Sequence, residues 1–263
     1  MLIDFHTHFF PDSIAKKSME ALSVRAGGVG FSGDGTLAGL LSFMEKDGVD
    51  LSINLPVATQ PEQVVSINRK MVELNAKSQK VICFGAMHPD FAGFEDEIAR
   101  LAQNGIKGIK LHPEYQDFFP QDKRLFPLYE ACARHNIMIV FHAGADLGYP
   151  DIHCTPERIQ DLLSIPGLTL ILAHMGSYQL WDDVEKHLVG KNCYFDLAYC
   201  ATMDNWQLRR MILNHGSDKI LFASDFPWER AGNIKKKIDS LGLDKADLEK
   251  IHYGNAKRLL QFP

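Results

Sequence analysis

The chain has 263 residues, 46% of them hydrophobic and 23% charged, with a formal net charge of −5. That composition excludes a disordered chain, which lacks the apolar surface to offset its ordering entropy, and a collagen-like or disulfide scaffold. The mildly acidic balance leaves no basic footprint for nonspecific nucleic-acid binding, and no apolar run approaches the ~18 residues of a membrane span. The first residues, MLIDFHTH, carry no signal-peptide pattern and run directly into a strand. The five cysteines are odd in number and form no CxxC pair, which points to a reduced, cytoplasmic compartment.

Short apolar runs alternate along the chain with longer amphipathic stretches. Strands are expected over residues 2–5, 51–55, 81–86, 106–111, 137–141, 168–173, 193–197 and 220–223. Several are nearly continuous in apolar residues, as strands buried on both faces should be. Helices are expected over 36–46, 61–78, 94–103, 125–134, 155–164, 178–188 and 204–214, with 234–241 after the last strand. Thr155-Pro156 supplies an N-cap followed by proline at the first helical position, and Asn104-Gly105 ends a helix just before a strand. Alternating β and α units imply a parallel sheet. Eight such units match a closed (β/α)8 TIM barrel, a single domain spanning residues 1–263. A doubly wound open sheet would show a glycine-rich dinucleotide loop after the first strand, and none follows residue 5. Residues 9–35 form the longest loop and a candidate lid. Its glycine-rich part, 26–35, lies too early to divide two domains.

Of the 11 histidines, several fall at the ends of apolar runs. His6 and His8 end the first strand, and alternation turns Asp4, His6 and His8 to one face. Two imidazoles there can bind one metal ion side by side, although a histidine at a strand end can equally cap a turn. His142 ends the fifth strand in FHAG, His174 ends the sixth in LAHMG, and Asp225 follows the eighth in SDFPW. Each lies at the C-terminal end of a strand, where barrel enzymes build their active sites.

On these pieces the chain resembles the amidohydrolase superfamily, in its branch of small metal-dependent hydrolases and decarboxylases. The matching motifs are DFHTHF, GIKGIKLHP, FHAG, LAHMG, SDFPW and YGNAKRLL, in family order from residue 4 to residue 260. The resemblance implies one divalent transition metal held by His6, His8, His142 and Asp225, with an open position for water. Zinc is the first expectation for this donor set, with manganese or iron(II) as the others. It also implies a metal-bound water with its pKa lowered toward ~7, with Asp225 acting as general base as well as ligand. His174 would polarise the substrate or shuttle a proton, and in binuclear relatives the same histidine is itself a ligand. Lys110 falls where binuclear relatives carry a bridging group. It reads as a substrate-carboxylate anchor, a modified metal bridge or a structural lysine reaching solvent. Lys110, His112, Trp228 and Arg230 are the candidate substrate contacts, with Arg230 as a carboxylate clamp. Tyr115, Phe118 and Phe119 are a candidate apolar wall or interface patch, and Trp181 is expected in the core. Asp4 is expected to hydrogen-bond a ligand histidine.

The activity expected first is hydrolysis, by metal-activated water, of an ester, lactone or amide carbonyl in a small anionic substrate. The alternative is nonoxidative decarboxylation of an unsaturated or aromatic acid with the same ligands. A catalytically inactive ligand-binding barrel is the remote alternative. A phosphoesterase family that opens on a similar DxHxH motif lacks LAHMG followed by SDFPW and GNA. The expected partner is a small-molecule substrate, with neither nucleic acid nor membrane, and a homodimer follows from the resemblance alone.

Overall fold

Nine parallel strand segments follow one another around the molecule in a computed structural model that describes residues 1–261. They are β1 (Ile3–Thr7), β2 (Leu51–Asn54), β3 (Val81–Cys83), β4 (Gly85–Ala86), β5 (Gly108–Leu111), β6 (Met138–Phe141), β7 (Leu170–Leu172), β8 (Tyr194–Asp196) and β9 (Ile220–Leu221). β3 and β4 are the expected strand 81–86 interrupted at Phe84. β3 pairs with β2 and β4 with β5, while the Phe84 N–H donates to the Asn54 carbonyl at 2.9 Å. The ring closes between β9 and β1: Phe5 N–H donates to Phe222 O at 2.8 Å and Asp225 N–H to His6 O at 2.9 Å. The fold is the (β/α)8 barrel.

Side chains along the strands divide between two packed clusters, as a period of two requires. Ile109, Leu111, Ile139, Phe141, Leu170 and Leu172 join the outer cluster, with helix residues such as Ile98, Leu101 and Leu128. Phe5, Ile53, Val140, Ile171 and Leu221 form the inner one, closed by Ala256 and Leu260 of the C-terminal helix Asn255–Leu260. Lys110 sits in register with Val140 and so shares the inner face.

The expected helices are present with small shifts at their ends. The segment 9–35, read from sequence as a loop, holds a 14-residue helix, α1 (Asp12–Arg25). Only Ala15 and Met19 of α1 are buried, so its amphipathic signal is weak. α2 (Leu37–Asp47) starts on Thr36, whose hydroxyl accepts the Gly39 N–H, and stops at Gly48 with φ 72°. α3 (Val64–Asn75) follows a short 3₁₀ turn at Pro61–Gln63. Among the described residues no helix is long and apolar enough to cross a membrane. All five cysteines are free and buried.

Candidate active site

His6, His8 and Asp225 converge at the C-terminal mouth of the barrel. His6 Nε2 lies 3.1 Å from His8 Nε2 and 3.5 Å from Asp225 Oδ1, and His8 Nε2 lies 3.3 Å from the same oxygen. Two ligands at ~2.1 Å from one metal stand about 3.4 Å apart in a tetrahedron and about 3.0 Å apart in an octahedron. The three donors therefore already have the spacing of a metal's ligands. A register irregularity between Asp4 and Thr7 in β1 breaks its simple alternation. Such bulges re-aim side chains beside active sites.

Hydrogen bonds fix which nitrogen of each imidazole carries the proton. His6 donates from Nδ1 to Asp196 Oδ2 at 2.8 Å, and His8 donates from Nδ1 to the Leu55 carbonyl at 2.9 Å. Both therefore turn an Nε2 lone pair toward Asp225. His174 donates from Nδ1 to the Ala198 carbonyl at 2.9 Å, so its Nε2 accepts from His142 Nδ1 at 3.1 Å. His142 is left with a free Nε2 lone pair, which is buried and has no hydrogen-bond partner. Burial holds His6 and His142 well below the ordinary histidine range, so both are neutral near pH 7, the state a ligand needs. The residues present fit a divalent cation. Three of the four expected ligands share one point, and the fourth, His142, stands beside His174 with an unused donor.

The backbone here is strained as well. His174, Met175 and Asp225 have φ of 60°, 55° and 73°, in the left-handed region that side chains other than glycine seldom occupy. Such conformations persist where surrounding contacts over-determine them, and they cluster at functional sites. Asp196 is one such contact, its Oδ1 accepting the N–H groups of His174 and Ala198 at 2.9 and 3.0 Å. Sequence reasoning expected Asp4 to hold the ligand histidine. Asp4 is buried and does accept the His6 backbone N–H, at 3.3 Å, together with the Ser224 N–H and hydroxyl, but it is Asp196 that holds the His6 imidazole. The signal for Asp196 was present: one acid ends the otherwise apolar strand YFD.

A cavity of about 590 Å³ opens above the triad. Lys110, His112, His142, His174 and Trp228 line it, and so do Tyr115 and Asp146. Lys110 is fully buried, its Nζ 3.3 Å from His6 Nε2, and burial lowers its pKa to about 8. Arg230 is elsewhere: its guanidinium pairs with Asp47 on α2 and the residue does not line the cavity. Phe118 is buried in the outer cluster and Phe119 is exposed beside Arg158. Trp181 is half-buried and donates from Nε1 to the His174 carbonyl at 3.0 Å, steadying the strained turn. The roof comes from α1, whose Ile14, Ser18, Leu22 and Arg25 face the cavity. Arg25 donates to the Tyr149 hydroxyl at 2.9 Å across the mouth.

A family model described as amidohydrolase matches residues 3–262. The chain belongs to the amidohydrolase family. It is 29% identical over 114 residues to a γ-resorcylate decarboxylase of Polaromonas sp. strain JS666, a stretch covering 36% of this chain and 35% of that relative. Among solved structures, 5-carboxyvanillate decarboxylase LigW from Sphingomonas paucimobilis superposes with a TM-score of 0.77. That match has 17% identity and covers 100% of this chain and 99% of that one. A dihydroxybenzoic acid decarboxylase from Polaromonas sp. JS666, solved with bound manganese, superposes with a TM-score of 0.72. It is 16% identical and covers 99% of this chain and 96% of that one. These findings correct the expectation of carbonyl hydrolysis, because the three relatives named here are decarboxylases.

Proposed function

We propose that this amidohydrolase is a metal-dependent nonoxidative decarboxylase of a small aromatic carboxylic acid. The observation that carries the reading is a cavity whose floor gathers metal-ligating and cationic side chains beneath a largely apolar wall. His6, His8, Asp225, Lys110 and His174 cluster at its floor, while Leu22, Val29, Val57, Ile67 and Leu147 supply apolar wall. Such a shape fits a carboxylate at the floor and a ring above it. The decarboxylases named above support the same substrate chemistry.

A divalent ion held by His6, His8, Asp225 and His142 would neutralise the substrate's anionic groups and withdraw electrons toward itself. We take manganese, present in a similar structure, as at least as suitable as the zinc expected from the donor set. The Lys110 ammonium stands beside the triad and faces the carboxylate, orienting it by charge. The carbon–carbon bond breaks, CO₂ leaves, and its electron pair stays on the ring carbon, which takes up one proton. His174, whose Nδ1–H is held by the Ala198 carbonyl, would deliver that proton once its Nε2 leaves the His142 Nδ1–H and takes up a proton from solvent. The apolar walls and the α1 roof keep water from competing for the ring carbon.

The test is to load the protein with manganese or zinc and incubate it with a panel of hydroxylated benzoates. CO₂ release and the matching phenol are the expected products. Metal-loaded protein that releases no CO₂ from any member would remove this reading.

A further inference from the structure

The roof over the cavity is fastened differently from the rest of the barrel. α1 spans 14 residues, of which only Ala15 and Met19 are buried. Met19 rests on Gly35, where an added Cβ would come within 2.5 Å of Met19 Cγ, so the two meet there only because residue 35 is glycine. The chain on either side of the helix is tied to the barrel rim. His8 N–H donates to Phe226 O at 2.7 Å, Phe10 N–H to Gly35 O at 2.8 Å and Ser32 N–H to Pro227 O at 2.7 Å. Between the end of α1 and Ser32 lie Gly27 and Gly28, with φ of 74° and 86°. No surrounding atom lies within 4 Å of where their Cβ atoms would stand, so backbone conformation and not packing demands glycine at this joint.

The far end of α1 is held by one side chain. Arg25 donates to the Tyr149 hydroxyl at 2.9 Å, and its guanidinium carbon lies 5.6 Å from the Tyr149 ring centroid. The contact is exposed, so water competes for it and it holds weakly. The catch itself is stiff. Asp146 Oδ1 accepts the Gly148 N–H at 2.8 Å, the Asp146 carbonyl accepts the Tyr149 N–H at 3.0 Å, and the Tyr149 ring leans on Tyr115 at 5.4 Å between centroids. Gly148 makes room for the arm, since an added Cβ there would stand 2.7 Å from Arg25 Cγ. Beneath this roof the floor of the cavity is nearly closed to solvent, with His6 and Lys110 each 1% exposed and His174 4%. An aromatic acid has to pass the roof to reach them.

We propose that α1 is a lid that swings on Met19 and the Gly27–Gly28 joint, that Arg25 latches it to Tyr149, and that its opening gates access to the floor of the cavity. The gate concerns access and holds whichever reaction the floor runs. Amide hydrogen exchange reads the opening without substrate or metal. In the wild type, amides of residues 18–25 should exchange together and about tenfold or more faster than those of α2, as a unit that opens without global unfolding. Tyr149→Phe removes only the acceptor, and Gly148→Ala displaces the Arg25 stem. Each should speed that exchange a further three- to tenfold or so, the range for one exposed hydrogen bond, with α2 and the melting temperature unchanged. Val24→Ala, on the same helix with Val24 78% exposed, should change nothing. The double variant Arg25→Cys/Gly148→Cys places two thiols at disulfide spacing. The five native cysteines are buried and do not compete. Oxidation should bring α1 exchange down to the α2 level. It should also slow the stripping of manganese from loaded protein by EDTA by about tenfold or more, and reductant should reverse both effects. The proposal is overturned by wild-type α1 amides as protected as those of α2, by latch variants that exchange at the wild-type rate, or by stripping that the disulfide does not slow. A lid that passes these tests in a protein releasing no CO₂ from any benzoate would stand, and the decarboxylase reading alone would fall.

Discussion

Replacing Asp196 by asparagine should weaken metal binding far more than it weakens the fold. Asp196 Oδ1 accepts two backbone N–H groups, from His174 and Ala198, and Oδ2 accepts the His6 Nδ1–H at 2.8 Å. An asparagine must keep its oxygen at the first position, because an amide NH₂ there would face two N–H donors. Its NH₂ then faces His6 Nδ1, which has to become an acceptor, and the His6 proton moves to Nε2. In the apoprotein that tautomer change repairs the contact at small cost. With metal bound it is not available, since Nε2 is the atom turned toward Asp225 and needs its lone pair. Loss of such an outer partner costs about 10–100-fold in metal affinity. Chelator competition on manganese- and zinc-loaded protein reads the affinity, and urea denaturation of the apoprotein reads the fold. An Asp196→Asn variant whose metal affinity stays within about twofold of wild type would refute the tautomer argument.

Asp225→Asn should abolish CO₂ release and lower bound metal well below one equivalent, as read by elemental analysis. Asparagine tolerates the φ of 73°, so the melting temperature should change little. Glu114→Gln should be more stable than wild type at pH 8 and lose that advantage toward pH 5. Burial raises the Glu114 carboxyl from 4.5 to about 7, so its ionisation penalises the fold fully above about pH 7 and not at all below 4.5. The ceiling on the difference is about 3 kcal/mol, from ~1.4 kcal/mol per pKa unit, and urea melts at the two pH values measure it. Arg230→Ala should leave kcat/KM within about twofold of wild type, because the guanidinium is engaged by Asp47 outside the cavity. Its cost to stability should be about 1–3 kcal/mol, because the Asp47 side chain left without its partner is only 5% exposed, and a tenfold loss of kcat/KM would place Arg230 back at the substrate.

The barrel was legible because its strands are apolar runs with nothing else to be. Ile139, Phe141 and Leu170 have no stable place except against the helices, and Val140 and Ile171 none except the interior. The cluster of His6, His8 and Asp225 was legible for a related reason. Imidazoles and an acid at the ends of such runs are costly to bury without a task, so their positions carry information. Partnerships across the barrel were not legible. His6 and Asp196 are 190 residues apart, and the irregularity in β1 breaks the alternation on which any argument for Asp4 depended. Arg230 misled in the same way: a guanidinium after the last strand resembles a clamp until α2 folds back and supplies Asp47, 183 residues earlier.

The residues that separate one reaction from another were the least legible, and the physical cause is specific. A side chain facing a cavity obeys neither the core pattern nor the surface pattern. α1 shows this most clearly, since Ile14, Ser18, Leu22 and Arg25 share a cavity-facing side while only Ala15 and Met19 are buried. Read as a sequence that face is an apolar residue, a hydroxyl, another apolar residue and a cation, which is no period of either kind. The same holds for Asp146, the acid that ends FHAGAD, which meets His112 Nε2 at 3.5 Å only because the barrel brings that residue in from the end of a different strand. The ligands define what a metal can do for a substrate. The wall built by α1, α3 and the loop after β6 decides which substrate presents itself.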